Sequence, residues 1–131
     1  MITVERTSYG LRAVLTGTVT LAEARGYHAE VMRQLPGLGS EFSIMFDQRS
    51  AKAIGDSAIQ KEITAPVLAV LAAGVARICI VSATSAATMQ SQRMARGAGL
   101  TGVYHCVDGN DPNADQIAEA WVVDGRRLVG V

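Results

Sequence analysis

The chain has 131 residues, 49% of them hydrophobic and 18% charged, which fits one folded domain with a real core and excludes a disordered chain. Twelve basic residues balance twelve acidic ones, so no global field draws the protein to nucleic acid or to an anionic membrane, and no run reaches the roughly 18 apolar residues of a membrane span. Two cysteines, Cys79 and Cys106, make no disulfide framework; with no cationic, signal-like start in residues 1–10, the chain reads as cytoplasmic.

Ile2 to Thr7 alternates apolar and polar residues, as a half-buried strand does. Ser8-Tyr9-Gly10 supplies a turn, and Leu11 to Thr16 resumes with Leu11, Ala13 and Leu15 on one side, completing an antiparallel hairpin. Thr20-Leu21-Ala22-Glu23 has the spacing of a capping box. The helix it opens carries Ala24, Tyr27 or His28, Val31 and Leu35 on its apolar face until Pro36-Gly37-Leu38-Gly39 stops it. Phe42 to Asp47 reads as a strand buried on both faces, and residues 48–55 as a loop.

Asp56 is a good cap for a second helix from Ser57, with Ile59, Ile63, Val67, Val70 and Gly74 as its buried stripe and Leu68 turned away. Pro66 lies inside that stripe and should kink or split the helix. Ile78 to Val81 is a second wholly apolar strand. Ser82 or Thr84 caps a third helix that runs to about Arg96, and Val103 to Val107 is the last strand. Asp111-Pro112 should open a fourth helix that carries Ile117 and Trp121 and ends at Gly125; Arg126-Arg127 fall in a solvated tail, residues 126–131. The order β-β-α-β-α-β-α-β-α implies one α/β domain over residues 1–131: a mixed, mostly parallel five-stranded sheet with four helices, in one or two layers.

That order, with the stretches Ile44-Met45-Phe46-Asp47, Asp56-Ser57-Ala58 and Ile78 to Asp108, resembles the STAS domains of anti-sigma-factor antagonists and sulfate-transporter tails, and the small stand-alone bacterial proteins of that type. The resemblance implies a regulatory switch at the start of the second helix, where the family carries a phosphorylatable Ser or Thr in an Asp-Ser-Ser/Thr-Gly pattern. Asp56 and Ser57 match its first two positions, Ala58 stands at the acceptor position and Ile59 replaces the Gly, so Ser57 would have to substitute as acceptor. The Sec14-like relatives of this fold bind lipid, which implies an apolar ligand as the alternative.

Other motifs have plainer readings. Gly97-Ala98-Gly99-Leu100-Thr101-Gly102 spells G-x-G-x-x-G, but it follows a helix and precedes a strand, the reverse of a dinucleotide-binding turn. Gly55-Asp56-Ser57-Ala58 is similar to the opening block of GDS-type esterases, yet neither His28 nor His105 stands in the arrangement such a hydrolase needs. His105 and Cys106 are adjacent in a strand and point to opposite faces, a poor start for a metal site.

The expected function is a non-catalytic regulatory or protein-interaction module without cofactor or metal. It would dock a protein partner, or a second copy of itself, through the loop-rich edge and the start of the second helix. Asp56 and Ser57 are the candidate switch; Asp47, Arg49, Ser82, Arg93 and Arg96, with Gln48 and Asp108 nearby, are the candidate partner or anion edge. In the alternative, Val67, Leu68, Val70 and Leu71 would line a groove opened at Pro66 for a small apolar ligand or lipid.

Overall fold

The computed structural model describes residues 1–128. Strands β1 (Ile2–Arg6), β2 (Gly10–Gly17), β3 (Ser43–Ala51), β4 (Arg77–Ser82) and β5 (Tyr104–Asp108) form one sheet in the order β1-β2-β3-β4-β5. β1 pairs antiparallel with β2 and every later pairing is parallel. Ile44 and Phe46 stand beside Ile78 and Ile80 in the shared direction expected of two buried apolar strands. No described helix is long and apolar enough to cross a membrane.

Helices α1 (Leu21–Gln34), α2 (Ser57–Ala72), α3 (Ser85–Gly97) and α4 (Ala114–Asp124) complete the fold. Strand alternation decides which face each helix covers. Leu11, Ala13, Ile44, Phe46 and Ile78 face Tyr27 and Val31 of α1 and Val70 of α2. Met45, Cys79, Val81 and Val107 face Ile117, Ala118, Trp121 and Val122 of α4. Helices thus lie on both faces, so the architecture has three layers where one or two were expected. The cause is α4, which follows the last strand and is free to cross to the face that the crossover helices leave open.

Local chemistry sets most boundaries. The capping box of α1 is present in full: the Thr20 hydroxyl accepts from the Glu23 amide at 3.1 Å and the Glu23 carboxylate accepts from the Thr20 amide at 3.2 Å. Tyr27, not His28, is the buried member of that helix. His28 instead meets Glu62 of α2 at 2.8 Å, joining the two helices. Gly10 has φ 147°, and a Cβ there would lie 2.2 Å from the Ser43 carbonyl oxygen, so only glycine lets the β1–β2 turn approach β3.

Three expectations are corrected. Residues 48–51, read as loop, continue β3: Ser50 and Ala51 pair with Thr16 and Gly17, past a bulge in which Gln48 and Arg49 oppose Leu15. Pro66 does not split α2, which runs unbroken over 16 residues; its ring is buried, and that packing offsets the lost amide bond. Asp111-Pro112 lies in a turn, not in α4: the Asp111 carboxylate accepts from the Asn113 amide at 2.8 Å, and the helix begins at Ala114. Residues 126–128 are not simply a solvated tail, since Arg127 donates to the Tyr104 carbonyl of β5 at 2.9 Å; residues 129–131 lie outside the described residues.

Candidate functional site

The C-terminal ends of the parallel strands carry the predicted edge. Asp47, near the end of β3, is buried with its carboxylate between two guanidinium groups, Arg12 at 3.5 Å and Arg49 at 3.0 Å. Arg49 reaches on to Asp115 in the first turn of α4 at 2.5 Å. Strand alternation keeps Asp47 and Arg49 on the α4 face, where Arg49 meets Asp115, while Gln48 between them turns to the face of α1, α2 and α3. Gly109 closes the arrangement: its amide donates to the Ser82 carbonyl at 2.8 Å, and a Cβ on it would stand 2.6 Å from the Arg49 Cβ. Asp108 accepts from the Asn110 amide at 2.9 Å and from the Ser85 hydroxyl at 2.7 Å, and these bonds hold its carboxyl below the usual aspartate range. Asp47, Arg49 and Asp108 therefore already have partners within the chain, and the edge is a closed set of short-range contacts.

At the start of α2 the Asp56 carboxylate accepts from the Ala58 and Ile59 amides at 2.8 and 3.2 Å. Ser57 is exposed. Ile54 and Ile59, flanking this segment, pack with Leu15, Val19 and Ala24, which places it on the α1 side of the sheet. Asp56 and Ser57 are thus separated from the Asp47–Arg49 pair by the sheet itself. Arg93 and Arg96 are not brought to this edge either. Ser85, the first residue of α3, bonds Asp108 at the end of β5, whereas Arg96, near the end of α3, lines a cavity with Tyr104 at the start of β5. The helix runs against the strand and carries its arginines to the opposite end of the sheet.

An apolar opening lies between α2 and α3. It measures about 310 Å³ and is walled by Ile63, Val67 and Leu71 of α2, by Ala95 of α3, and by Ile80 and Tyr104 of the sheet. α2 packs tightly on α1 but has no comparable contact with α3. The gap persists because small side chains stand there, Ser91 and Ala95 on α3 and Ala98 just past its end. Pro66, buried, is not among the residues that open it. Leu68 on one lip is 62% exposed and Met94 on the other is 69% exposed. Three polar groups, Gln48, Thr64 and Ser91, also border it. Helical spacing sets Ser57, Lys61, Thr64 and Leu68 on one stripe of α2, so Ser57 heads the same lip, about 16 Å from Leu68 at 1.5 Å per residue. The apolar run in α2 predicted this wall except for Val70, which turns into the core; the α3 wall, built on small residues below Met94, had no signal in the sequence.

A second cavity, about 240 Å³, sits at the outer side of β5 and is lined by Gln92, Arg96, Thr101, His105, Cys106 and Arg127 among others. His105 faces Trp121 of α4, with ring centroids 5.8 Å apart, while Cys106, buried with its thiol pushed up by desolvation, lies toward α3. Burial also pushes the Cys79 thiol up to about 12. Both sulfurs therefore stay protonated near neutral pH. The G-x-G-x-x-G stretch closes α3, with Gly99 at φ 71°, and its amides satisfy carbonyls of the helix it ends. No family model matches the chain, and no curated protein matches it either.

Proposed function

We propose that the protein is a non-catalytic interaction module, similar in kind to STAS domains, that seats the apolar face of a protein partner in the groove between α2 and α3. The observation that carries this reading is the pair of large apolar side chains, Leu68 and Met94, held out in solvent on the two lips of an apolar trough. Isolated exposed apolar residues are ordinary, but a contiguous apolar surface on a monomer marks a binding site. Methionine at a lip adapts to the shape of an incoming helix.

Ser57 supplies the regulatory element of this proposal. A phosphate there would add about −1.5 to −2 charges at the head of the docking lip. It would also compete with Asp56 for the first amides of α2 and repel that carboxylate. The loop-rich edge is a weaker candidate surface, because the carboxylates and guanidinium groups on it are engaged with one another.

The second reading, a small apolar ligand in the same groove, is favoured by one observation: its volume of about 310 Å³ falls at the lower end of ligand pockets, with a few polar groups placed to orient a bound molecule. One experiment separates the two. A photo-crosslinking amino acid at position 68, with one at Arg25 on α1 as control, should trap a single partner in host cells, and Met94→Glu or Ser57→Glu should abolish the product. Absence of any adduct at position 68, with a small molecule retained in native mass spectrometry, would transfer the site to the second reading. Absence of both refutes the groove as a binding site.

A further inference from the structure

Of the ten arginines, Arg12, Arg33 and Arg49 meet a carboxylate. Arg96 and Arg127 meet none and share one cavity. Both line the cavity beside β5, no carboxylate is among its lining residues, and neither makes an ion pair among the described residues. Arg127 is nevertheless held in place. Its guanidinium lies 4.3 Å over the Trp121 ring and donates to the carbonyls of Tyr104, at 2.9 Å, and Thr101. It also meets His105 Nδ1 at 3.2 Å. Because a guanidinium only donates, that nitrogen must accept, so the imidazole is neutral and carries its proton on Nε2. His105 therefore adds no charge of its own to the cavity.

The strand adds a donor. β5 is the last strand of the sheet, and the Val103 carbonyl turns inward to accept from Ile78. By alternation Tyr104 turns outward, where Arg127 takes its carbonyl, and Cys106 turns outward as well. The Cys106 amide thus opens on the cavity wall that Cys106 lines.

We propose that this cavity binds a small oxyanion, the carboxylate or phosphate group of a ligand. Arg96 and the free N–H groups of Arg127 supply the charge, and the Cys106 amide with the Gln92 side chain supplies neutral donors. Two guanidinium groups and an outward amide match the planar or tetrahedral array of anionic oxygens. A cavity of about 240 Å³ admits the anionic group and a short attachment. The site adjoins the α2–α3 groove, sharing Ala95 and Tyr104 with it, but Arg96, Arg127, Cys106 and Gln92 do not line that groove.

Trp121, the only tryptophan in the chain, lies under Arg127 and reports on it. Its emission would be titrated with inorganic phosphate and with acetate at constant ionic strength, chloride making up the balance, and the Cys106 amide followed in parallel by nuclear magnetic resonance. A saturable response to either anion is expected, the stronger of the two identifying the group. Arg96→Gln, at an exposed position, should weaken it about tenfold, as befits loss of one charge-assisted contact. Leu68→Glu should leave it unchanged, so failure here and failure of the groove reading are told apart. A response in neither probe, one matched by chloride, or one equally strong in Arg96→Gln would overturn the proposal.

Discussion

Replacing Val70 by Ala tests the packing on which the α2 wall of the groove depends. Val70 is fully buried, facing Leu11, Ile44, Phe46 and Ile78 from the middle of α2. The change deletes two methyl groups, about 0.8 kcal/mol each by transfer, and leaves a small cavity beneath a helix held by its neighbours, about 1 kcal/mol more. Alanine returns about 0.5 kcal/mol through its better helix propensity. The net loss is about 2 kcal/mol. With an unfolding entropy of about 2.1 cal/mol/K per residue, a chain of 131 residues should melt about 7 °C lower, measured by circular dichroism and checked against the urea midpoint. Leu68→Ala, two positions earlier and 62% exposed, should change stability by less than about 0.5 kcal/mol. An unchanged melting temperature for Val70→Ala, or an equal loss for Leu68→Ala, would refute the orientation of α2.

Two further outcomes follow from the charged and titrating groups. Asp47→Ala removes the buried carboxylate between Arg12 and Arg49 and leaves two guanidinium groups facing each other across it; a loss of about 1–3 kcal/mol is expected in urea denaturation, because both arginines keep some water, and a loss below about 0.5 kcal/mol would show that the pairs contribute nothing. His105 is held below the ordinary histidine value of 6.5, by burial first and by the Arg127 charge second. The unfolded chain therefore takes up the proton first as pH falls, so this group costs stability progressively from just above pH 6.5 down to its folded pKa. The melting temperature of the natural protein should drop more steeply than that of His105→Gln over that window; parallel curves would contradict the placement of His105.

Much of the architecture was readable because it rests on short-range rules. Apolar residues on successive positions, as in Ile44-Met45-Phe46 and Ile78 to Val81, mark strands covered on both faces. The Thr20 box, the Asp56 cap and the Gly125 terminus concern atoms within four residues of one another. The structure departs from those rules where a distant partner overrides local preference. Residues 48–51 have no strand signal of their own and become one by completing the ladder of β2. Pro66 should break a helix, and its buried ring keeps it inside one.

The candidate site was less legible for the same reason. Asp56 and Ser57 are local, and their place at the head of α2 follows from the cap. The supposed cluster of Arg49 with Arg93 and Arg96 required knowing which end of the sheet α3 reaches, and the antiparallel run of helix against strand sends them apart. Arg127, read as tail, finds the carbonyls of Thr101 and Tyr104, 26 and 23 residues away, and the face of Trp121 on the helix before it.

By itself the amino-acid order settled the kinds and succession of the main elements, the inward turn of Val70 on α2 (though not of Gly74, which is exposed past the helix end) and the cap that starts it, since each depends on periodicity or on groups a turn apart. Only the tertiary structure decided that α4 crosses to the far face, that small residues on and just past α3 leave a groove beside α2, and that Arg96 and Arg127 share a cavity without a carboxylate. Those facts are distances between residues remote along the chain, and periodicity carries no record of them.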